Sequence, residues 1–298
     1  NVPSYDMISM TKPTSDLQKV ALQKFYVSMN GPLWKKNTNW NVGDPCTNFW
    51  HGIACNINGD IFSMVFGENR MRGILPTEII NLKSLEELTI FNPYDSYSDY
   101  TNRLYNIEKR INELYSLKVL VLRNLNITDS LSSSIYSFSK LEVLDLSFNK
   151  IEGILTNSIT NLKNLKRFNI ANNKIKGSLN IFNSFTGSLE IIELQNNEFE
   201  SNVPSLDNLA SSLKIFDFTN NKIFGGVPTN YFEKKKFVKF IYMGLMLNPK
   251  VTVPIQCERQ PFCFSFLFEG FRNANDLDFI LNDGEKMYLR PIETVGPT

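Results

Sequence analysis

The thirteen residues Gly43–Cys55, GDPCTNFWHGIAC, hold two of the chain's four cysteines and its only histidine. Three chemistries suit that set. Two thiolates and an imidazole could hold zinc, provided both cysteines stay reduced and a fourth ligand joins them. A Cys thiolate paired with His51 could be a nucleophile, which also requires a free thiol. A Ser-His-Asp arrangement would have to draw on the same residue, because no second histidine exists. Elsewhere no G-x-x-x-x-G-K-[ST] or G-x-G-x-x-G phosphate loop occurs. Gly225-Gly226 falls in a repeat turn, and carboxylate pairs such as Glu86-Glu87 are dispersed. The bland assignment of His51, as a filler of a structural position, outweighs the reactive ones. The expectation is a chain that is no enzyme, with no catalytic residue, no metal and no cofactor.

Composition narrows the partners. The chain has 298 residues, is 42% hydrophobic and carries a formal charge of +1. So small a net charge gives no field for nucleic acid or an anionic membrane surface. No run of eighteen apolar residues occurs, so no transmembrane segment is expected in this chain. It opens on Asn1 rather than Met, which reads as a processed or trimmed product, so any signal peptide, tail anchor or transmembrane segment would lie outside it.

What must position any functional residue is a repeat. LEVLDLSFNKIEGIL at Leu141, LKRFNIANNKIKGSL at Leu165, LEIIELQNNEFESNV at Leu189 and LKIFDFTNNKIFGGV at Leu213 align at a step of 24. The series extends to starts at 61, 85 and 117 before them and to Phe237 after them. Only the step from 85 to 117 breaks the period, by about eight residues. Positions 1, 4 and 6 are apolar, and one isolated unit cannot bury them. Positions 3 to 7 alternate, so each unit contributes one short strand, and stacking buries the apolar side of all strands together. At position 9 an asparagine recurs as Asn69, Asn149, Asn173, Asn197 and Asn221, replaced elsewhere by Pro93, Leu125 and Leu245. Its amide can both donate and accept, so it can satisfy backbone groups in the turn after each strand.

These residues resemble the leucine-rich repeat family. NRMRGILP, NEFESNVP and NKIFGGVP resemble its plant-specific extracellular subtype, L-x-x-L-x-L-x-x-N-x-L-x-G-x-I-P, over roughly 61–247. Ser132, Thr156 and Asn180 depart from the expected proline. The implied fold is an α/β solenoid of about eight repeats, capped at both ends. The block from Asp16 to Cys55, ending in Trp50-His51-Gly52-Ile53-Ala54-Cys55, resembles the amino-terminal cap of the same subtype, and that resemblance implies a Cys46–Cys55 disulfide. Within it, Ser15–Gln18 fits a capping box, Leu17, Val20, Ala21 and Phe25 share a helix face, and Asn58-Gly59 signals a hairpin. Cys257 and Cys263 fall where a carboxyl-terminal cap belongs and are paired on that ground. The expected division is cap 1–60, repeats 61–248 with an insertion at 93–105, and cap and tail 249–298.

Four cysteines at the two ends suggest an oxidising compartment, hence a secreted or cell-surface protein. The resemblance implies recognition of a protein partner or membership of a surface complex, as adhesin, receptor or scaffold. The alternatives are a secreted enzyme inhibitor and a structural subunit. Two surfaces qualify. In this architecture positions 3, 5, 7 and 8 face outward on the concave side, and the columns at 3 and 5 nominate Val119, Val143, Asp145, Asn169, Ile191, Glu193, Ile215 and Asp217, an acidic stripe beside exposed β-branched residues, while position 7 contributes Phe91 and Arg123 among others. The insertion NPYDSYSDYTNRLY nominates Tyr94, Tyr97, Tyr100 and Tyr105, since tyrosine among small polar residues gives contact area at low entropic cost. The chain has 36 asparagines but one N-x-[ST] sequon, Asn126-Ile127-Thr128, where chance gives about five. Asn126 is therefore the expected glycosylation site. Asn169-Ile170-Ala171 and Asn208-Leu209-Ala210 each stand one substitution short of a sequon, which raises the hypothesis that sequons were removed.

Overall fold

A computed structural model describes residues 12–93, 99, 101–131, 133–209 and 211–226, together with the backbone of Tyr242–Gly244 and Lys250–Thr252. Helix α1 (Asp16–Ser28) opens it and β1 (Ile53–Cys55) closes the cap. The first unit holds β2 (Ile61–Phe66) and β3 (Arg72–Gly73), the second β4 (Glu87–Phe91) and β5 (Arg103–Leu104), and the third β6 (Val119–Arg123). The fourth has β7 (Val143–Asp145) and β8 (Glu152–Ile154), the fifth β9 (Arg167–Asn169) and β10 (Lys174–Gly177). The sixth has β11 (Ile191–Glu193) and β12 (Glu198–Phe199), the seventh β13 (Ile215–Asp217) and β14 (Phe224–Gly226). The eighth has β15 (Tyr242–Gly244) and β16 (Lys250–Thr252).

The first strand of every unit joins one nine-stranded sheet in the order β1-β2-β4-β6-β7-β9-β11-β13-β15. It is parallel except for β1, which pairs antiparallel with β2. Short 3-10 turns such as Thr77–Asn81 and Asn157–Asn161 return the chain on the opposite side. Between sheet and turns lies one continuous core. Leu120, Leu144, Phe168, Ile192 and Phe216, the position-4 residues, are all at most 1% exposed. This is the burial that a single unit could not achieve.

A second set of strands was not legible in the period. Arg72–Gly73 pairs with Arg103–Leu104, Glu152–Ile154 with Lys174–Gly177 and on to Glu198–Phe199, and Phe224–Gly226 with Lys250–Thr252. These runs carry exposed charges (Glu152, Lys174, Lys176), so hydropathy does not mark them. Their backbone pairing follows from the stacking of their units.

Three local readings are corrected. The Ser15 side chain makes no capping bond. Instead Gln18 Nε2 reaches Asp60 Oδ1 at 3.0 Å and Gln18 Oε1 accepts the Ile61 N–H at 2.9 Å, docking the helix on the first strand. The buried helix face is Gln18, Ala21, Leu22 and Phe25, while Leu17 and Val20 are 59% and 44% exposed. The eighth unit begins at Phe240, not Phe237, because Ile215 pairs with Tyr242 and Asp217 with Gly244. In that frame the sequence reads Phe240-x-x-Met243-x-Leu245-x-x-Asn248, closer to the repeat than the expected alignment.

The amino-terminal block is an end plate. Cys46 and Cys55 are disulfide-bonded, with Cα atoms 5.6 Å apart. Trp34, Trp40, Trp50, Phe25 and Phe66 stack over the first strand with ring centroids 5.0–6.2 Å apart. Each indole N–H donates to a carbonyl, on Met29, His51 and Val42, so the buried plate leaves no indole unsatisfied. The turn at Asn58-Gly59 is present, with Gly59 at φ +80° and a Cβ there 2.4 Å from the Lys12 carbonyl oxygen. His51 is half-buried with its ring edge toward Phe66, and burial, then Lys36, lowers its proton affinity. Among the described residues no group of three or more His, Cys, Asp or Glu side chains could hold a metal ion.

Candidate functional site

Strand register fixes two columns on the open face of the long sheet. Position 3 runs Ser63, Glu87, Val119, Val143, Arg167, Ile191, Ile215. Position 5 runs Val65, Thr89, Val121, Asp145, Asn169, Glu193, Asp217. Apart from Glu87, the charged residues of the two columns, Asp145, Arg167, Glu193 and Asp217, lie from the fourth unit onward, interleaved at position 3 with Val143, Ile191 and Ile215.

Exposure along the columns corrects the expected open stripe. Asp145, Asn169, Ile191, Ile215 and Asp217 are 4%, 3%, 1%, 6% and 7% exposed. Parallel neighbours stand about 4.8 Å away on both sides, and short side chains sink between longer ones. Three of them also tie down the strand end. Asp145 Oδ1 accepts the Ser147 N–H at 2.9 Å and its hydroxyl at 2.6 Å. Asn169 accepts the Ala171 N–H and Asp217 the Thr219 N–H, at 3.0 and 2.9 Å. Burial pushes the Asp217 carboxyl up to about 6, Glu193 adds to the rise, and the Thr219 hydrogen bonds oppose it. Arg167 gives both Nε and Nη2 to Glu193 Oε2, at 3.0 and 2.7 Å, a pair only 16% and 13% exposed. Val119 and Val143 are half-exposed. Because Asn169 is buried and bonded, it is no candidate for a removed glycan. Asn208 is exposed, its amide donating to the Asn183 carbonyl.

At the carboxyl edge of the same strands sit the outward positions 7 and 8, from which the sequence reading nominated no contact residue. Arg123 lies over the Phe91 ring at 5.2 Å. Phe148 is half-buried in the left-handed region at φ 58°, the place taken by Asn124, Asn172, Asn196 and Asn220 in neighbouring units. A bulky residue there is strained where asparagine is tolerated. The signal was visible as a break in the position-8 column.

The insertion emerges from this edge. Asn102, not Pro93, is the ladder asparagine of the second unit. Its Oδ1 accepts from the Asn69 and Met71 N–H groups, both at 3.0 Å, and its Nδ2 donates to the carbonyls of Gly67 and Phe91. Asn149 does the same one ladder later, toward Leu125, Ile127, Leu122 and Leu146. The inserted segment is therefore 93–101, and the Arg103–Leu104 part of the expected 93–105 is strand. Asn92 clasps its base. Its Oδ1 accepts the Asn102 N–H at 2.7 Å, and its Nδ2 donates to the carbonyls of Asn102 and Asn124. Asn124 Nδ2 in turn donates to the Pro93 carbonyl at 2.8 Å. Tyr105, 56% exposed, follows β5 and donates its N–H to Gly73, so it belongs to the second set of strands rather than to the insertion. Tyr94, Tyr97 and Tyr100 lie outside the described residues, as do Cys257 and Cys263.

Comparison with known proteins agrees with this geometry. Residues 115–175 match the family model described as leucine rich repeat. A stretch of 52 residues, 17% of the chain, is 36% identical to a probable leucine-rich repeat receptor-like protein kinase of Arabidopsis thaliana, and the match spans 6% of that protein's length. A plant ice-binding protein has a similar solved structure, with TM-score 0.66 at 22% identity, covering 82% of this chain and 79% of that one. The ectodomain of the Arabidopsis thaliana receptor kinase GASSHO1/SCHENGEN3, solved with Casparian strip integrity factor 2, gives TM-score 0.64 at 19% identity, over 79% of this chain and 27% of that one. The ectodomain of the Arabidopsis receptor kinase HAESA, solved with an extended IDA peptide hormone, gives 0.59 at 22% identity, over 79% and 41%. At these identities the likeness is one of fold.

Proposed function

We propose that this chain, a solenoid whose residues 115–175 match the leucine-rich repeat model and whose fold is that of plant receptor ectodomains, is a secreted or cell-surface recognition module, not an enzyme, that binds a protein or peptide partner. The contact we propose is the carboxyl edge of the long sheet in the second to fourth units. It comprises the Tyr-rich insertion with Tyr94, Tyr97 and Tyr100, and Phe91, Arg123 and Phe148 at that edge, with Val119 and Val143 at the amino ends of the same strands. The Arg167–Glu193 pair forms its polar continuation. One observation carries the reading: the insertion interrupts the second unit without interrupting the ladder, because Asn102 takes over the ladder position and Asn92 closes the base. A loop added at no cost to stacking is where a repeat scaffold can acquire specificity. Half-exposed Arg and aromatic side chains beside it have the composition of binding hot spots. Peptides bound to ectodomains of similar fold support the partner class.

The test is excision of 93–101, joining Asn92 to Asn102 as positions 8 and 9 join in other units. Immobilised intact chain and excised chain are presented to intact cells of the source, and cross-linked surface proteins are compared by mass spectrometry. We expect the intact chain to enrich a partner at least tenfold over the excised one. Equal enrichment by a fully folded excised chain would reject the insertion as the contact.

A further inference from the structure

We propose that Asn126 carries an N-linked glycan, which stands where the second set of strands is reduced to a single bridge, beside the base of the insertion. Asn126-Ile127-Thr128 is the chain's one sequon. Asn126 and Thr128 are both exposed, while Ile127 between them is 0% exposed and anchors the turn in the core. Asn124 and Asn126 both sit at positive φ, 57° and 61°, so the sequon lies in an open turn. Every other unit has a two- to four-residue strand at this place. The third has only an isolated bridge from Ser130 to Glu152, while its Ile127 and Asp129 carbonyls accept the Lys150 and Glu152 N–H groups and keep the stack continuous. The position-8 asparagines of the turns are engaged: Asn196 Nδ2 donates to Asn172, Asn220 Nδ2 to Asn196, and Asn124 Nδ2, two residues before the sequon, to Pro93. The Asn126 amide makes no hydrogen bond among the described residues.

An amide in that state can be presented to a transferase. Nδ2 displaces the diphosphate at the anomeric carbon of a lipid-linked oligosaccharide. The N–C bond forms, the C–O bond to phosphate breaks, the polyprenyl diphosphate leaves with the electron pair, and the amide gives up one proton. The donor belongs to the compartment in which Cys46–Cys55 would form. The glycan would stand two residues from Asn124, whose side chain holds Pro93, so a partner using the insertion would meet it on one flank.

The experiment routes the chain through the secretory pathway of a eukaryotic cell with an added signal peptide. Its outcome is then independent of where the native protein resides and of whether the insertion binds. Intact mass should exceed the polypeptide by one glycan. Glycosidase release should leave Asp at 126 in the peptide map, and should be as complete on folded as on denatured protein. Thr128→Ala should abolish the extra mass with Asn126 still present, Thr128→Ser should keep it, and Asn126→Gln should repeat the loss. Unmodified Asn126 in a secreted chain with Cys46–Cys55 intact would overturn the proposal. So would a glycan released only after denaturation.

Discussion

At the residue scale, asparagine side chains do the work that a longer strand would otherwise do. Each ladder amide pairs backbone groups of two units, which are buried and costly to leave unmet. Asn102→Ala is therefore expected to destabilise the chain by about 3 kcal/mol, as much as Asn149→Ala, in urea unfolding. A loss under about 0.5 kcal/mol would show that Pro93 or another group holds that place. Asp217 differs from its sibling Asn169, which makes the same bond to the strand end without a charge. With a folded-state value near 6 against 3.8 for the free carboxyl, the folded chain holds this proton more tightly than the unfolded chain. Its contribution is full below about pH 4 and is lost as pH rises through 6. Asp217→Asn should remove that loss and raise stability at pH 7 by up to about 3 kcal/mol, with little change at pH 4. Parallel pH profiles for the two proteins would refute the assignment.

At the element scale, the strands are short and their register is set by neighbours. Position 2 shows this, where Glu86–Lys118, Glu142–Lys166 and Glu190–Lys214 alternate in sign and pair at 2.7–2.8 Å. These pairs are solvent-screened and add little stability, but like charges in adjacent units would oppose the stacking. The insertion hangs on this register without contributing to it. Excising 93–101 should therefore change unfolding free energy by no more than about 1 kcal/mol, checked by chemical denaturation beside the capture experiment. A collapse of the transition would mean that the segment is part of the fold.

At the scale of the whole molecule, a solenoid has two ends through which its core could open. At the first, the rings of Phe25, Trp34, Trp40 and Trp50, a helix and a disulfide cover Ile61, Met64 and Phe66, all 0% exposed. Replacing Cys46 and Cys55 together by Ala should lower stability by roughly 2–3 kcal/mol. Amide exchange should then rise first in β1 and β2 and leave β7 to β11 near their original protection. Uniform acceleration across all units would argue that the solenoid unfolds as a single cooperative block.

The 24-residue period and its apolar positions were sufficient for the solenoid, the strand columns and most of the ladder, because each depends on spacing along one chain and repeats often enough to be read; the cap, which does not repeat, was legible only through its resemblance to the family's amino-terminal block. Tertiary structure decided what depends on neighbours. Asn102 takes the ladder place because Asn92 and Asn102 are bonded to each other across the base of the insertion, a fact of space that no fixed count of residues records. Asp145 and Asp217 look like a charged face in the column, yet flanking strands bury them. The second set of strands, the true start of the eighth unit and the helix face led by Gln18 are likewise set by what packs alongside. Sequence specified the period; stacking specified which side chains remained at the surface to meet a partner.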